Sequence, residues 1–219
     1  MNKSKKSTTL FMGGLGNMMF QAAMLYAYSK KYQYEHYLNL NHNGTLHKLP
    51  SSYRDNIFRN FKFTEINSAD SWKVYEQPEE IKPCGYLELN DSDHEMLAFK
   101  GFFQSYKYFK SYEKEIQSLF SPHNEILIYL NEKYKPKSKV SIHIRRGDYV
   151  DLSEFHHNLN IDYYKNSIDY FKGNEFLVFS DDVEWCKKKL KGEEFTFVDG
   201  EADYNDLYLM SLCEHNIIA

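Results

Sequence analysis

The residues best suited to chemistry lie in one run, His143-Ile144-Arg145-Arg146-Gly147-Asp148-Tyr149, directly after the apolar stretch Val140-Ser141-Ile142. Two guanidinium groups, a small flexible residue and a carboxylate therefore follow what reads as a strand. Arginine presents a planar fork of donors and stays charged at any relevant pH, which suits it to bridging the oxygens of a pyrophosphate. Consecutive side chains project differently, so one of Arg145 and Arg146 is expected to face a ligand. The competing reading is that both form surface ion pairs with nearby acids. Asp148 either takes a proton from a reacting hydroxyl or orients Arg145 through a charge-assisted bond.

Four further segments carry candidate chemistry. Gly13-Gly14-Leu15-Gly16-Asn17 brings backbone amides to a helix start, where the dipole favours anions, although Met19 stands where a dinucleotide fingerprint needs its third glycine. Its plain alternative is a tight turn with Asn17 as N-cap. Phe179-Ser180-Asp181-Asp182 ends a strand and opens a helix, so Ser180 or Asp181 either caps that helix or offers acceptors to a nucleotide. Asp91-Ser92-Asp93 has the D-x-D form of a hard-cation site but lies among turn residues, which favours a solvated loop. His156-His157 lacks ligand spacing, because adjacent side chains diverge.

Elements that would position these groups can be read from periodicity. A strand over Thr8–Met12 leads through the glycines into a helix over Asn17–Tyr32. From Asn39 to Glu95, prolines and Asn/Ser/Asp clusters predict short strands and loops. A strand over Phe99–Gln104 and helices over Tyr108–Phe120 and Glu125–Tyr134 follow. Pro136-Lys137-Ser138 marks the expected linker, dividing the chain into a lobe over 1–135 and a second over 136–219. The second lobe alternates strand Lys139–Ile144, helix Ile161–Phe171, strand Glu175–Phe179, helix Val183–Leu190, strand Glu194–Val198 and helix Asn205–Cys213. Such alternation predicts an α/β fold with a parallel sheet, whose ligands bind just after Ile144, Phe179 and Val198.

The totals narrow the classes. With 219 residues, 42% of them hydrophobic and 26% charged, the chain can build a real core, which argues against disorder. A net charge of −4 gives no bulk attraction for nucleic acid. Cys84, Cys186 and Cys213 are odd in number and lack C-x-x-C spacing, so they read as reduced thiols and not as a disulfide framework or zinc site. The apolar stretch after the basic N-terminus is too short for a signal peptide or a membrane span, and a cytoplasmic location is expected. Aromatic residues, 17% of the chain, are expected mostly in the core.

Residues 143–149 match H-x-R-R-G-D-Y at every specified position, and in this the chain resembles the inverting α-1,2-fucosyltransferases. The likeness extends, in order, through Gly13–Asn17 with Met19-Phe20-Gln21, Gly101–Ser105 with Lys107-Tyr108-Phe109, Phe179–Asp182, and Asp206 to Ala219. Glu214 replaces a usual lysine in the last block. Between 40 and 95 little aligns.

The resemblance implies a GT-B-like fold of two Rossmann-like lobes, GDP-fucose as donor with no metal or other cofactor, and fucosyl transfer with inversion to the 2-hydroxyl of a galactose-terminated glycan. By position it implies Arg145 as partner of the departing diphosphate. His143 and Asp148 would shape that turn, with Asp148 also a catalytic candidate; His143, Arg146 and Gly147 would bind the donor beside Arg145, and Gly14, Gly16 and Asn17 would be the first lobe's part of the donor site. Ser180, Asp181 and Asp206 would support the nucleotide. The family continues beyond the point matching Ala219, so an incomplete C-terminal lobe is expected. Two alternatives stand beside transfer: a non-catalytic relative serving in binding or assembly, and a metal-dependent glycosyltransferase using Asp91 and Asp93.

Overall fold

The structure, a computed structural model, describes residues 4–40, 48–64, 72–147 and 159–218. The chain forms two compact units, Met1–Ser121 and Pro122–Ala219. The division thus falls before the helix Asn124–Tyr134 and not at residues 135–138, because that helix packs on the second unit's last helix.

In the first unit, five strands form a parallel sheet: β1 (Lys6–Leu10), β2 (Glu35–Asn39), β3 (Phe63–Thr64), β4 (Lys73–Glu76) and β5 (Met96–Lys100). Their order is β3-β2-β1-β5-β4. Helix α1 (Leu15–Tyr32) crosses from β1 to β2 and buries Met18, Ala22, Met24 and Leu25 almost completely. An aromatic cluster fills the rest, with Phe11 stacked on Phe58 at 5.4 Å and Phe61 against Phe120 at 5.5 Å.

The β4 to β5 crossover is an extended strap in place of a helix. Tyrosine hydroxyls pin its backbone: Tyr32 donates to the Leu89 carbonyl at 2.6 Å, Tyr28 to Asn90 at 3.2 Å and Tyr34 to Ser92 at 2.8 Å. Prolines and polar residues make this segment a poor helix, and the hydroxyls satisfy carbonyls that a helix would have paired internally. The expected strand at Phe99–Gln104 starts three residues earlier and ends four earlier, at Lys100, where Gly101 at φ +153° follows. The expected helix over Tyr108–Phe120 shortens to α2 (Glu113–Leu119) after two 3-10 turns.

The second unit contains α3 (Asn124–Tyr134), β6 (Lys139–Ile144), α4 (Ile161–Tyr170), β7 (Glu175–Ser180), α5 (Val183–Lys189), β8 (Phe195–Phe197), α6 (Asp203–Leu212) and β9 (His215–Ile217). Its four strands run parallel in the order β8-β7-β6-β9. Val140, Ile142 and Ile144 share a core with Tyr164, Phe176, Val178 and Cys186. The chain steps from β6 outward to β8, then returns to the other side of β6 as β9. Strand order therefore reverses at β6, where open α/β sheets form a crevice.

Candidate functional site

Ile144 and Ser180 pair at the carboxyl ends of β6 and β7, so the two following turns lie side by side. The Ser180 hydroxyl donates to the Ile144 carbonyl at 2.8 Å and accepts from the Asp182 amide at 2.9 Å, tying the turns together. Asp181 accepts from Arg145 Nη1 at 2.9 Å and from the Arg146 backbone amide at 2.8 Å. A Cβ on Gly147 would meet Asp181 Oδ2 at 2.5 Å, so only glycine lets the turn close on that carboxylate.

The two arginines have different surroundings. Arg146 lies with its guanidinium carbon 4.0 Å from the Trp185 ring centre and its Nε 3.3 Å from Asp182. Cation–π stacking and an ion pair commit it to the protein. Arg145 keeps about a third of its side chain exposed, 35% by area, while held by Asp181. Both arginines thus form ion pairs, as the surface reading expected, yet Arg145 is also the one held at the rim of the crevice.

Asp182 and not Ser180 or Asp181 caps α5, accepting from the Trp185 amide at 3.1 Å. The cap carboxylate reaches the amide three residues on, which leaves Ser180 and Asp181 for the β6 turn. Burial lowers the pKa of His143 below the ordinary imidazole value; Asp181 acts in the opposite direction and Arg145 adds to the lowering. Asp148, Tyr149 and the His156-His157 pair lie outside the described residues. Arg145 is nevertheless oriented by a carboxylate, that of Asp181.

Asp206 belongs to the same unit, in the first turn of α6, with its amide on the Ala202 carbonyl at 3.0 Å and its Oδ1 shielded from solvent. The loop before it is anchored by Glu201, 7% exposed in its side chain. Glu201 accepts from Tyr129 at 2.6 Å, Lys133 at 2.8 Å, Tyr134 at 3.0 Å and Asn205 at 3.1 Å. Burial opposes its ionisation, but these four donors prevail and hold its pKa down at about 2. Sequence reading missed Glu201, because its partners on α3 are some seventy residues away along the chain.

Gly14, Gly16 and Asn17 lie in the first unit. Gly14 is the N-cap of α1 and the helix begins at Leu15, which places Asn17 in the first turn and not at the cap. The Asn17 side chain accepts from the Gln104 amide and lies against Gly13, where an added Cβ would meet its Nδ2 at 2.1 Å. Gln21, fully buried, accepts from the Met12 amide at 3.0 Å and donates to the Met12 carbonyl at 2.9 Å. The loops after β1 and β5 thus join at the point where this sheet also reverses strand order. A Cβ on Gly16 would have nothing within 4 Å, so no packing in the protein demands glycine there.

Asp91 is engaged by Lys5, whose ammonium lies 3.2 Å from Oδ2 and donates to the Ser92 carbonyl at 2.9 Å. Asp91 and the Ser92 carbonyl therefore serve as a latch of the strap. Among the described residues, no group of three or more His, Cys, Asp or Glu side chains could hold a metal ion. No described helix is long and apolar enough to cross a membrane. Cys84, Cys186 and Cys213 are all free thiols.

Comparison with known proteins gives a consistent picture. The sequence profile of glycosyl transferase family 11 matches residues 1–219. An alpha-1,2-colitosyltransferase of Escherichia coli is 35% identical over 237 aligned positions, covering 94% of this chain and 81% of that protein. The O-antigen biosynthesis glycosyltransferase WbnK of Escherichia coli is 33% identical over 136 positions, covering 54% of this chain and 45% of that protein. Galactoside alpha-(1,2)-fucosyltransferase 1 of Saimiri sciureus is 26% identical, with 70% of this chain and 47% of that protein covered. The fold is similar to that of fucosyltransferase NodZ from Bradyrhizobium, with TM-score 0.62 at 11% identity over 98% of this chain and 88% of that one. A NodZ alpha-1,6-fucosyltransferase structure soaked with GDP-fucose gives TM-score 0.58 at 10% identity, covering 99% and 88%.

Proposed function

Because the chain belongs to glycosyl transferase family 11, we propose that it transfers L-fucose from GDP-fucose to the 2-hydroxyl of a galactose-terminated glycan, with inversion. The observation that carries this reading is the Arg145 guanidinium, held at the carboxyl end of β6 by Asp181 where the sheet reverses. As the bond to the sugar breaks, negative charge grows on the departing diphosphate. A preorganised guanidinium stabilises that transition state more than the ground state. The proton of the acceptor hydroxyl must go to a base, a role for which Asp148 is the candidate within H-x-R-R-G-D-Y.

Arg146 supports the turn in this reading through Trp185 and Asp182. Ser180 and Asp181 position it, and Asp206 serves the nucleotide side. Gly14, Gly16 and Asn17 provide the first lobe's part, with Gly16 leaving open space above the start of α1. Titration with GDP-fucose and mass analysis of a galactoside product test the reading; a folded chain that binds no GDP-fucose would overturn it. Binding without turnover would favour instead the non-catalytic alternative.

A second reading concerns the transferred sugar. The colitosyltransferase relative spans 94% of this chain, and colitose is fucose without its 3-hydroxyl. Parallel assays with the GDP derivatives of both sugars separate the two, the true donor showing the higher kcat/KM.

A further inference from the structure

The carboxyl ends of β1, β4 and β5 frame a cleft of about 300 Å³ in the first unit, beside the glycine turn. Its walls are of two kinds. Met12 and Phe102 offer apolar surface, whereas Glu76, Gln77, Glu79 and Lys100 bring polar groups. The volume lies at the small end of the range for small-molecule pockets, the size class of a sugar ring.

Both walls are held in place by side-chain amides. Gln21 grips the amide and carbonyl of Met12. On the opposite side, Gln77 Oε1 accepts from the Phe102 amide at 2.9 Å and the Phe103 amide at 3.0 Å. Phe103 is fully buried and adopts φ +49°, a left-handed conformation that costs energy for a residue with a Cβ. Gly101, two residues before it, cannot take a Cβ without meeting Gln77 Cβ at 2.5 Å. The fold therefore pins the loop at Phe102 and holds its neighbour Phe103 in a left-handed conformation, which a mere connection between β5 and the following turn does not require.

A galactopyranose ring has an apolar C–H face on one side and hydroxyls around its edge. Carboxylates accept from such hydroxyls, and flat or soft apolar groups cover the C–H face. Lys100 donates to Glu76 at 3.0 Å, which orients that carboxylate at the mouth of the cleft. We propose that this cleft is the subsite for the acceptor's galactose ring, with Phe102 and Met12 against its C–H face and Glu76 and Glu79 accepting from its hydroxyls. The assignment rests on the transfer reading above and adds to it the place where the acceptor sugar sits.

The test uses the full chain labelled with ¹³C-methyl methionine, the Met12 signal being identified by its loss in Met12→Leu. Methyl β-galactoside should move the Met12 signal saturably. Glu79→Gln and Phe102→Ala should each weaken that binding about tenfold while GDP binding stays unchanged. Glu79 is exposed, so its variant reports on the cleft even where Phe102→Ala perturbs folding. A galactoside that leaves the Met12 signal unmoved, or binds both variants as tightly as the parent, overturns the proposal. Failure of the transfer reading shows separately, as absence of GDP-fucose binding.

Discussion

Asp181 receives the Arg145 guanidinium at 2.9 Å and the Arg146 amide at 2.8 Å, so one carboxylate fixes both the side chain and the backbone of the β6 turn. Arg145 is thereby preorganised before any ligand arrives. Its removal and the loosening of its support should have different kinetic signatures.

Arg145→Ala should lower kcat by roughly 10²–10³-fold, the loss expected for a group that stabilises transition-state charge. Arg145→Lys should recover little, because an ammonium cannot reproduce the planar fork. Asp181→Asn should raise the donor KM about tenfold with a smaller effect on kcat, since it removes a charge-assisted hydrogen bond to the arginine. Steady-state kinetics with GDP-fucose check all three, and equal losses in kcat for Asp181→Asn and Arg145→Ala would contradict the division of roles.

Arg146→Ala should act mainly on stability, with a loss of about 1–2 kcal/mol from the Trp185 stack. Trp185→Leu should reproduce that loss, and the double variant should lose less than the sum of the two single losses. Denaturant unfolding measures the cycle; additive losses would mean that the stack contributes nothing.

The glycines of the first unit predict opposite shifts. Gly13 has φ +73° and no room for a Cβ beside Asn17, so Gly13→Ala should lower the melting temperature. Gly16 lies in the first turn of α1 with open space around it, so Gly16→Ala should stabilise by about 0.4–1 kcal/mol. Transfer should fall in Gly16→Ala despite the gain, because the methyl group enters the space assigned to ligand. Calorimetry paired with activity assays decides the matter.

The Glu201 anchor predicts a pH dependence of stability. Its folded pKa, about 2, lies below the ordinary 4.5, so its contribution is complete above the ordinary value and disappears as pH falls from there towards 2. The loss over that window should be on the order of 3 kcal/mol. Glu201→Gln should flatten this part of the curve and lower stability at pH 7. An unchanged slope between pH 4.5 and 2 in urea melts would show that the four donors do not hold the carboxylate ionised.

The amino-acid sequence alone determined the alternation of the second unit and the place of its turns. Lys139–Ile144 is the same strand in both readings, and α4 and α5 end within a residue of expectation. Those elements are governed by local periodicity, and the Arg-Arg-Gly run stands out by composition. Less was legible where long-range contacts set the outcome. The strap between β4 and β5 depends on tyrosines of α1 and the residues after it, over fifty positions upstream. That Asp181 and not a neighbour in the run orients Arg145, that Asp182 caps α5, and that Arg146 stacks on Trp185 follow from the pairing of β6 with β7. Sequence order carries residue type and local period, but a carboxylate acquires its partner only when the sheet brings two turns together.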